Sequence, residues 1–129
     1  MSLKDYFNNI KGFGVMATAD SDGIVDTAVY GRPHFIDDDT VAFIMADRLT
    51  HHNIQSNPHA AYLYLESGEG YKGKRLFLTK IKEEENMEKV NEMRRRSRCP
   101  VDENYLKEKK FVVYFKIDKV LPLIGSGEK

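Results

Sequence analysis

The stretch T-V-A-F-I-M-A-D-R-L-T-H-H-N-I-Q-S-N-P-H, residues 40–59, decides the fold of this chain. Residues 40–46 form an apolar, β-prone run, which the polar residues after it interrupt. Thr50 stands where a helix needs its N-cap, and Pro58 ends that helix at Asn57 because the residue before a proline avoids the helical conformation. The stretch therefore predicts a strand, a tight turn and a short helix.

The start of this predicted helix has the properties of an anion site. The hydroxyl of Thr50 can accept one N–H group of the first turn, and the remaining free N–H groups, at residues 51–53, point out of the helix. Such a terminus attracts phosphate. Arg48 lies at its mouth, where a guanidinium can pair with a phosphate group.

Length and charge limit the classes of function. The chain has 129 residues, which is enough for one domain with a single core. Its 20 basic and 20 acidic residues cancel, and this balance argues against general attraction to nucleic acid or to a membrane surface. No apolar run approaches the ~20 residues that cross a bilayer, and the N-terminus lacks a secretory signal. With Cys99 as its one cysteine, we expect a cytoplasmic protein without an internal disulfide.

The segment before the deciding stretch predicts a helix and two strands. Ser2 is a good N-cap for a short helix that ends near Gly12. Residues 13–19 and 24–36 are extended, and the D-S-D-G turn between them, with Gly23 at positive φ, makes them a hairpin. A second turn at 37–39 leads into the strand at 40–46.

The segment after it predicts three further strands and two helices. Tyr62 and Tyr64 share one face of a strand at 60–65, and a glycine-rich loop leads to a strand at 75–82. The other predicted elements are an amphipathic helix at 83–98 with Met87, Val90 and Met93 on one stripe, a short helix from Asp102 to Lys109, and a strand at 111–117.

These elements predict a mainly β fold of about six antiparallel strands with short helices. Small antiparallel sheets avoid exposed edges by closing into a barrel. Residues 1–129 show no internal repeat and no linker, so we expect a single domain.

Four segments of the chain together resemble the pyridoxamine 5′-phosphate oxidase-like, FMN-binding split-barrel family. They are A-T-A-D-S-D-G-I-V, A-V-Y-G-R-P-H, the block from Phe43 to Leu63, and G-Y-K-G-K-R-L-F-L. The middle block is the most specific, because strand, phosphate turn, helix and N-P stop follow in the family's order. The resemblance implies a six-stranded antiparallel split β-barrel that binds FMN.

The resemblance also implies which residues contact the cofactor. In such proteins basic side chains of the second strand and of the turn before the middle helix hold the phosphate. The family's contacts fall on Ala28, Val29, Tyr30, Gly31 and Arg32, on Phe43 and Ile44, and on Leu49 and Thr50, with Arg48, His51 and Asn53 as further donors. The family's usual Arg-Lys pair in the turn is replaced here by Leu49-Thr50, which makes the phosphate site weaker than in the family.

A homodimer with the cofactor between its subunits is the assembly that the resemblance implies. A flavin needs a pocket of roughly 300–1,000 Å³, whereas a small barrel is filled by its own side chains. Tyr30, Tyr62 or Tyr64 would help to form the seam if they point outward, although plain packing in the core or on the surface is the better expectation for each. The activity implied is a flavin-dependent oxidoreductase on an unknown small substrate. The alternative is a protein that holds a flavin, haem or other cofactor without turnover, or a cofactor-free dimer.

The remaining motifs favour structural explanations. G-E-G-Y-K-G at 68–73 matches a dinucleotide-binding pattern, but it joins two strands instead of opening a helix. His51 and His52 are adjacent and cannot chelate one metal ion as an i, i+4 pair would, so no metal site is expected. The basic run at 94–98 reads as a solvated helix end and Cys99 as an inert thiol. No residue stands out as a catalytic acid or base.

Overall fold

The computed structural model describes residues 2–96 and 108–125. Within these ranges the chain forms three helices and seven strands in the following order: α1 (Leu3–Asn9), β1 (Gly12–Ala19), β2 (Val25–Tyr30), β3 (His34–Phe35), β4 (Thr40–Ala46), α2 (Leu49–Ser56), β5 (His59–Glu66), β6 (Gly73–Glu84), α3 (Met87–Arg96) and β7 (Lys110–Pro122). None of the helices in these ranges has the length and apolar character that crossing a bilayer requires.

All seven strands belong to one antiparallel sheet that does not close. Its order is β2-β1-β5-β6-β7-β4-β3, so β2 and β3 are the two edges. The mainly β, split-barrel class is confirmed. The expected count of six strands is wrong, because the predicted strand at 24–36 is two strands that pair with different partners.

The chain changes partner at Gly31-Arg32-Pro33. Before this point β2 pairs with β1, from Val25 opposite Ala19 to Tyr30 opposite Gly14, and after it β3 pairs with β4. A proline has no N–H group to donate to a strand neighbour, and the buried Pro33 falls inside the break. β2 and β3 are therefore consecutive in the chain but lie at opposite edges of the sheet, and residues 31–33 connect them.

The N-cap of α1 and the turn between β1 and β2 form as predicted. The Ser2 side chain accepts a hydrogen bond from the Asp5 N–H at 3.1 Å and caps α1. In the β1–β2 turn, Gly23 has φ 82°, and Oδ1 of Asp20 accepts from the N–H of Ile24 at 2.9 Å. Local side-chain chemistry thus fixes both features.

The core lies inside the curled sheet. Strands contribute their inward-facing side chains, and α1 and α2 add Phe7 and Ile54, which are 0% and 2% exposed. Tyr62 and Tyr64 pack in this core, which decides between the core and surface packing that the sequence left open, and their side chains do not point outward to a seam. The members from the strands are Met16, Val41, Phe43, Met45, Ala60, Tyr62, Tyr64, Leu76, Leu78, Val113 and Phe115.

Helix α3 covers the other face of β4 and β7. Its Val90 and Met93 pack with Ala42, Val112 and Tyr114 in a second buried cluster. Met87, the third residue of the predicted stripe, remains 49% exposed. The predicted start at Glu83 is wrong, because β6 continues through Glu84 and takes up the first two acidic residues. The predictions for Cys99 and for a helix at 102–109 lie largely outside the described residues.

Candidate functional site

The first turn of α2 begins two residues earlier than predicted. Arg48 is the N-cap, and the N–H of His52 donates to its carbonyl oxygen at 2.9 Å. Helix geometry therefore leaves the N–H groups of Leu49, Thr50 and His51 without intrahelical acceptors, instead of those at 51–53. The predicted Thr50 cap is wrong: Thr50 is 4% exposed, and its hydroxyl lies 3.4 Å from Oδ2 of Asp26. No side-chain cap satisfies this turn among the described residues.

Arg48 lies beside this turn, as predicted, but it has a partner from the far end of the chain. Its Nε donates to the Glu108 carboxylate at 2.8 Å, and its Nη2 contacts the other carboxylate oxygen. The Arg48 side chain is 61% exposed, and exposed ion pairs contribute little to stability. The pair therefore keeps a guanidinium at the helix start that an anion can recruit at small cost.

The structure places Arg32 away from α2. Its Nη1 donates to the carbonyl oxygens of Phe7 and Asn8, at 3.1 and 3.3 Å, in the last turn of α1. A cation at a helix C-terminus satisfies carbonyl groups and the helix dipole. Arg32 thus holds α1 in place, and a ligand would have to compete with those carbonyls for it.

His51 and Asn53 point into the protein. The His51 ring stacks on Phe111 with centroids 4.1 Å apart, and its Nε2 lies 2.9 Å from a carboxylate oxygen of Glu83. Asn53 is 2% exposed and donates to the Thr18 hydroxyl at 3.1 Å. Both side chains therefore anchor α2 from inside, and the backbone N–H groups of the first turn are what α2 offers to a ligand.

Glu83 is the anionic centre of this anchor. Lys80 Nζ lies 2.6 Å from its Oε1, and Gln55 donates to the same oxygen at 2.8 Å. Partial burial tends to raise the pKa of Glu83, but hydrogen bonds from Gln55, Lys80 and His51 outweigh it and lower the pKa to about 2. The carboxylate stays ionised throughout the neutral range.

The predicted strand contacts divide between two faces. Tyr30 turns inward, with its ring centroid 6.3 Å from that of Phe43, whereas the next residue back, Val29, points outward and is 73% exposed. Ala28 faces the interior opposite Met16. Ile44 lies on the far side of β4, against the cluster under α3. The structure therefore brings Tyr30 of β2 close to Phe43, whereas Ile44 lies on the opposite face of the sheet.

The opening of the barrel lies between β2 and β4. β2 is an edge strand, and β4 pairs with β3 only at Val41 and Ala42, so Phe43–Ala46 lacks a strand neighbour on that side within the described ranges. Helix α2 packs against β1, β2 and β4, and it follows β4 directly. The predicted contacts on β2, on Phe43 and at the start of α2 thus surround a single split.

A second feature, missed by sequence reasoning, is an apolar outer face on β2, β1, β5 and β6. It contains a cavity of about 370 Å³, next to Val25 and Val29, which are 78% and 73% exposed. Apolar residues at alternating positions on both faces of β1 and β5 were the available signal. The cavity is lined by Val15, Ala17, Thr27, Ala61, Tyr62, Leu63, Arg75 and Phe77.

Comparison with known proteins identifies the fold. No protein-family model matches the chain, and no curated protein gives a significant match. A crystal structure of an FMN-binding protein from Syntrophomonas wolfei is similar over 95% of this chain and 84% of that one, with a TM-score of 0.76 and 21% identity. An F420 reductase is similar over 94% of this chain and 98% of that one, with a TM-score of 0.73 and 13% identity.

A candidate pyridoxamine 5′-phosphate oxidase from Lactobacillus delbrueckii is also similar. The match covers 91% of this chain and 88% of that one, with a TM-score of 0.64 and 18% identity. The described structure is an open antiparallel sheet of seven strands with short helices, and these similar structures are split-barrel proteins. The chain therefore has the pyridoxamine 5′-phosphate oxidase-like split-barrel fold of flavin-binding proteins.

Proposed function

We propose that this protein binds FMN in the split between β2 and β4, with the phosphate at the start of α2. The observation that carries the proposal is the uncapped first turn of α2 beside Arg48, at the end of that split. Three N–H groups and a guanidinium converge there, which is the donor set that phosphate prefers. Under this proposal a phosphate takes over Arg48 from Glu108.

The flavin ring occupies the split itself in this proposal. The unpaired edges of β2 and of Phe43–Ala46 present backbone N–H and C=O groups. The polar edge of a flavin ring carries matching carbonyl and N–H groups, while its other rings are apolar. The barrel interior is filled by Phe43, Tyr62 and their neighbours, so the ring lies at the surface of one subunit.

A second copy of the chain would cover the apolar outer face of the sheet. The outer face of β2, β1, β5 and β6 exposes apolar side chains that a monomer would leave in water. We expect a homodimer in sedimentation-velocity experiments, and we expect Val29→Asp to shift it towards monomer. Ile36→Asp, at another exposed apolar residue that lies in the β3–β4 turn and not on this face, is the control and should remain dimeric. A wild-type monomer would contradict this part of the proposal.

The proposed activity is that of a flavin-dependent oxidoreductase on a small substrate. When bound, FMN supplies the hydride chemistry, and the protein supplies binding, orientation and protection from solvent. Arg48 and the first turn of α2 hold the phosphate end, and β2 and β4 orient the ring. The site residues include no side chain placed to act as a catalytic acid or base.

The absorption spectrum of the purified protein tests the proposal. Flavin bands, with FMN identified by chromatography after release, are the expected result. Bleaching by NAD(P)H and recovery in air would support the oxidoreductase activity. A colourless protein that does not take up added FMN in a fluorescence titration would contradict the proposal.

A second candidate function is cofactor binding without turnover, with a flavin, haem or another anionic cofactor. The observation that favours it is Leu49-Thr50 in place of the family's Arg-Lys pair, with Arg48 already paired to Glu108. A protein that binds FMN but is not bleached by any nicotinamide donor would favour this candidate. Haem bands in the isolated protein would identify the cofactor as haem.

A further inference from the structure

We propose that Glu108 competes with the phosphate group of FMN for Arg48, so that this carboxylate lowers the affinity of the site for ligands that carry a phosphate. The inference rests on the function proposed above, because it concerns the same guanidinium. It adds a regulatory contact to that site, since the charge at position 108 sets how tightly the phosphate end is held.

The contact between the two side chains has the geometry of a bound anion. Nε of Arg48 lies 2.8 Å from Oε2 of Glu108 and 3.1 Å from Oε1, and Nη2 contacts Oε1 as well. A guanidinium binds carboxylates and phosphates through this kind of two-point contact. The Glu108 carboxylate therefore occupies the edge of Arg48, formed by Nε and Nη2, to which a phosphate can bind in the same way.

The backbone around Glu108 keeps its carboxylate beside the start of α2. The N–H of Asp47 donates to the carbonyl oxygen of Lys109 at 3.1 Å, and Lys110 pairs with Ala46 between β7 and β4. Nζ of Lys110, a residue only 1% exposed, donates to the carbonyl oxygen of Glu108 at 2.9 Å. The competing anion is thus tethered next to the guanidinium, and its effective concentration there is high.

The charges around the first turn of α2 make this competition matter. Asp26 has a carboxylate oxygen 3.4 Å from the Thr50 hydroxyl, Asp47 directly precedes the N-cap, and Glu108 contacts the N-cap side chain. A phosphate that approaches this turn gains a full positive partner only when Glu108 releases Arg48. Neutralising position 108 therefore removes a competitor and a nearby negative charge together.

The exposure of the pair sets the size of the effect. The side chains of Arg48 and Glu108 are 61% and 29% exposed. An ion pair at this exposure, with repulsion screened by water and salt, corresponds to about a three- to tenfold change in affinity. Glu108 therefore tunes the affinity of the site without closing it.

Fluorescence titrations with FMN and riboflavin test the competition. Glu108→Gln should lower the Kd of FMN by about three- to tenfold and change that of riboflavin, which has no phosphate, by less than about twofold. Glu85→Gln is the matched control, because it removes the same charge from an exposed ion pair with Lys109, 3.4 Å away. Unchanged FMN affinity in Glu108→Gln, or equal tightening in Glu85→Gln, would overturn the proposal.

An Arg48→Ala background separates competition from simple repulsion. If Glu108 acts through Arg48, then Glu108→Gln should tighten FMN binding in the wild type but change it by less than about twofold in Arg48→Ala. Equal tightening in both backgrounds would mean that Glu108 only repels the ligand, and it would overturn the proposal. Glu108→Ala removes the same carboxylate and takes the place of Glu108→Gln if that variant does not fold.

Inorganic phosphate separates this inference from the proposed function. Phosphate should raise the Tm of Glu108→Gln more than that of the wild type, relative to sodium chloride at equal ionic strength. If no variant binds FMN but this difference is found, the proposed function fails and the competition is supported. If no variant binds FMN and phosphate raises both Tm values equally, both proposals are overturned. FMN binding with the same Kd in the wild type and Glu108→Gln would overturn the competition alone.

Discussion

Helices α1 and α2 each have one fully buried apolar side chain in the same core, but their first turns are built differently. At α1 the chain satisfies its own ends: Ser2 caps the start and Arg32 binds the last carbonyls. At α2 the start has no side-chain cap, and polar side chains buried within the helix hold it instead. Helix α1 therefore only completes the core, whereas the first turn of α2 has no side-chain cap and can meet a ligand.

A helix start without a side-chain cap lowers the stability of the protein, and a single substitution at the N-cap could restore it. A Ser, Thr, Asn or Asp at an N-cap is worth typically about 1 kcal/mol over a residue without a capping group. Arg48 at this position gives up that stabilisation and adds a cation beside three N–H groups. This is the physical basis for proposing that the start of α2, and not that of α1, meets an anion.

The largest expected effect is at the apolar contact of α1. Phe7→Ala removes a ring that is 0% exposed and packs 4.9 Å from the Tyr64 ring, centroid to centroid. We expect the free energy of unfolding, measured in urea, to fall by about 3–5 kcal/mol. Asn8→Ala, at the exposed next position, should change it by less than about 0.5 kcal/mol. A cost for Phe7→Ala below about 1 kcal/mol would show that α1 is not part of the core.

The polar anchor of α2 should give a smaller effect. Asn53→Ala leaves the buried Thr18 hydroxyl without its donor and should cost about 1–3 kcal/mol. A double-mutant cycle with Thr18→Val isolates the hydrogen bond, and we expect the two changes to be less than additive. Full additivity would mean that the two side chains do not support each other.

Acid should weaken α2 through Glu83. The lowered pKa of this carboxylate means that its contribution is present above its ordinary value of 4.5 and is lost as the pH falls towards about 2. Unfolding of the wild type between pH 5 and 2.5 should therefore show an additional loss of roughly 1–2 kcal/mol that Glu83→Gln lacks. Glu69→Gln, in an exposed loop, serves as the control. Identical acid profiles for the wild type and Glu83→Gln would contradict the assignment.

The caps themselves should give the smallest effect. Ser2→Ala should destabilise the protein by about 1 kcal/mol, and Arg48→Ser should be more stable than Arg48→Ala by a similar amount. The comparison of two variants at position 48 cancels the loss of the ion pair with Glu108. If Arg48→Ser gains nothing over Arg48→Ala, then α2 does not begin at residue 49.

Local signals in the sequence predicted what local interactions determine. Ser2, Gly23 and the stop before Pro58 act on their own neighbours, and each was predicted and found. Strict alternation predicted that Tyr62 and Tyr64 share one face of β5, and the structure shows that this face lies in the core. The fold class therefore followed from turns and periodicity.

The wrong predictions concern features that depend on contacts between residues far apart in the sequence. Glu108 reaches Arg48 across 60 residues, and Glu83 reaches His51 across 32 residues, so no local pattern announces either contact. Thr50 is a residue type that often caps helices, but it is buried beside Asp26 and lies two positions after the actual N-cap, Arg48. The division of residues 24–36 into two strands likewise depends on pairing with both β1 and β4.

The central claim is that the start of α2 holds the phosphate of a flavin nucleotide. The most direct test compares the Kd of FMN with that of riboflavin, which lacks the phosphate, for the wild type and for Arg48→Ala by fluorescence titration. We predict that the wild type prefers FMN, and that Arg48→Ala weakens FMN binding by about 1.5–3 kcal/mol, roughly 10- to 150-fold, with little effect on riboflavin. Equal affinity of the wild type for FMN and riboflavin, or an unchanged FMN preference in Arg48→Ala, would contradict the claim.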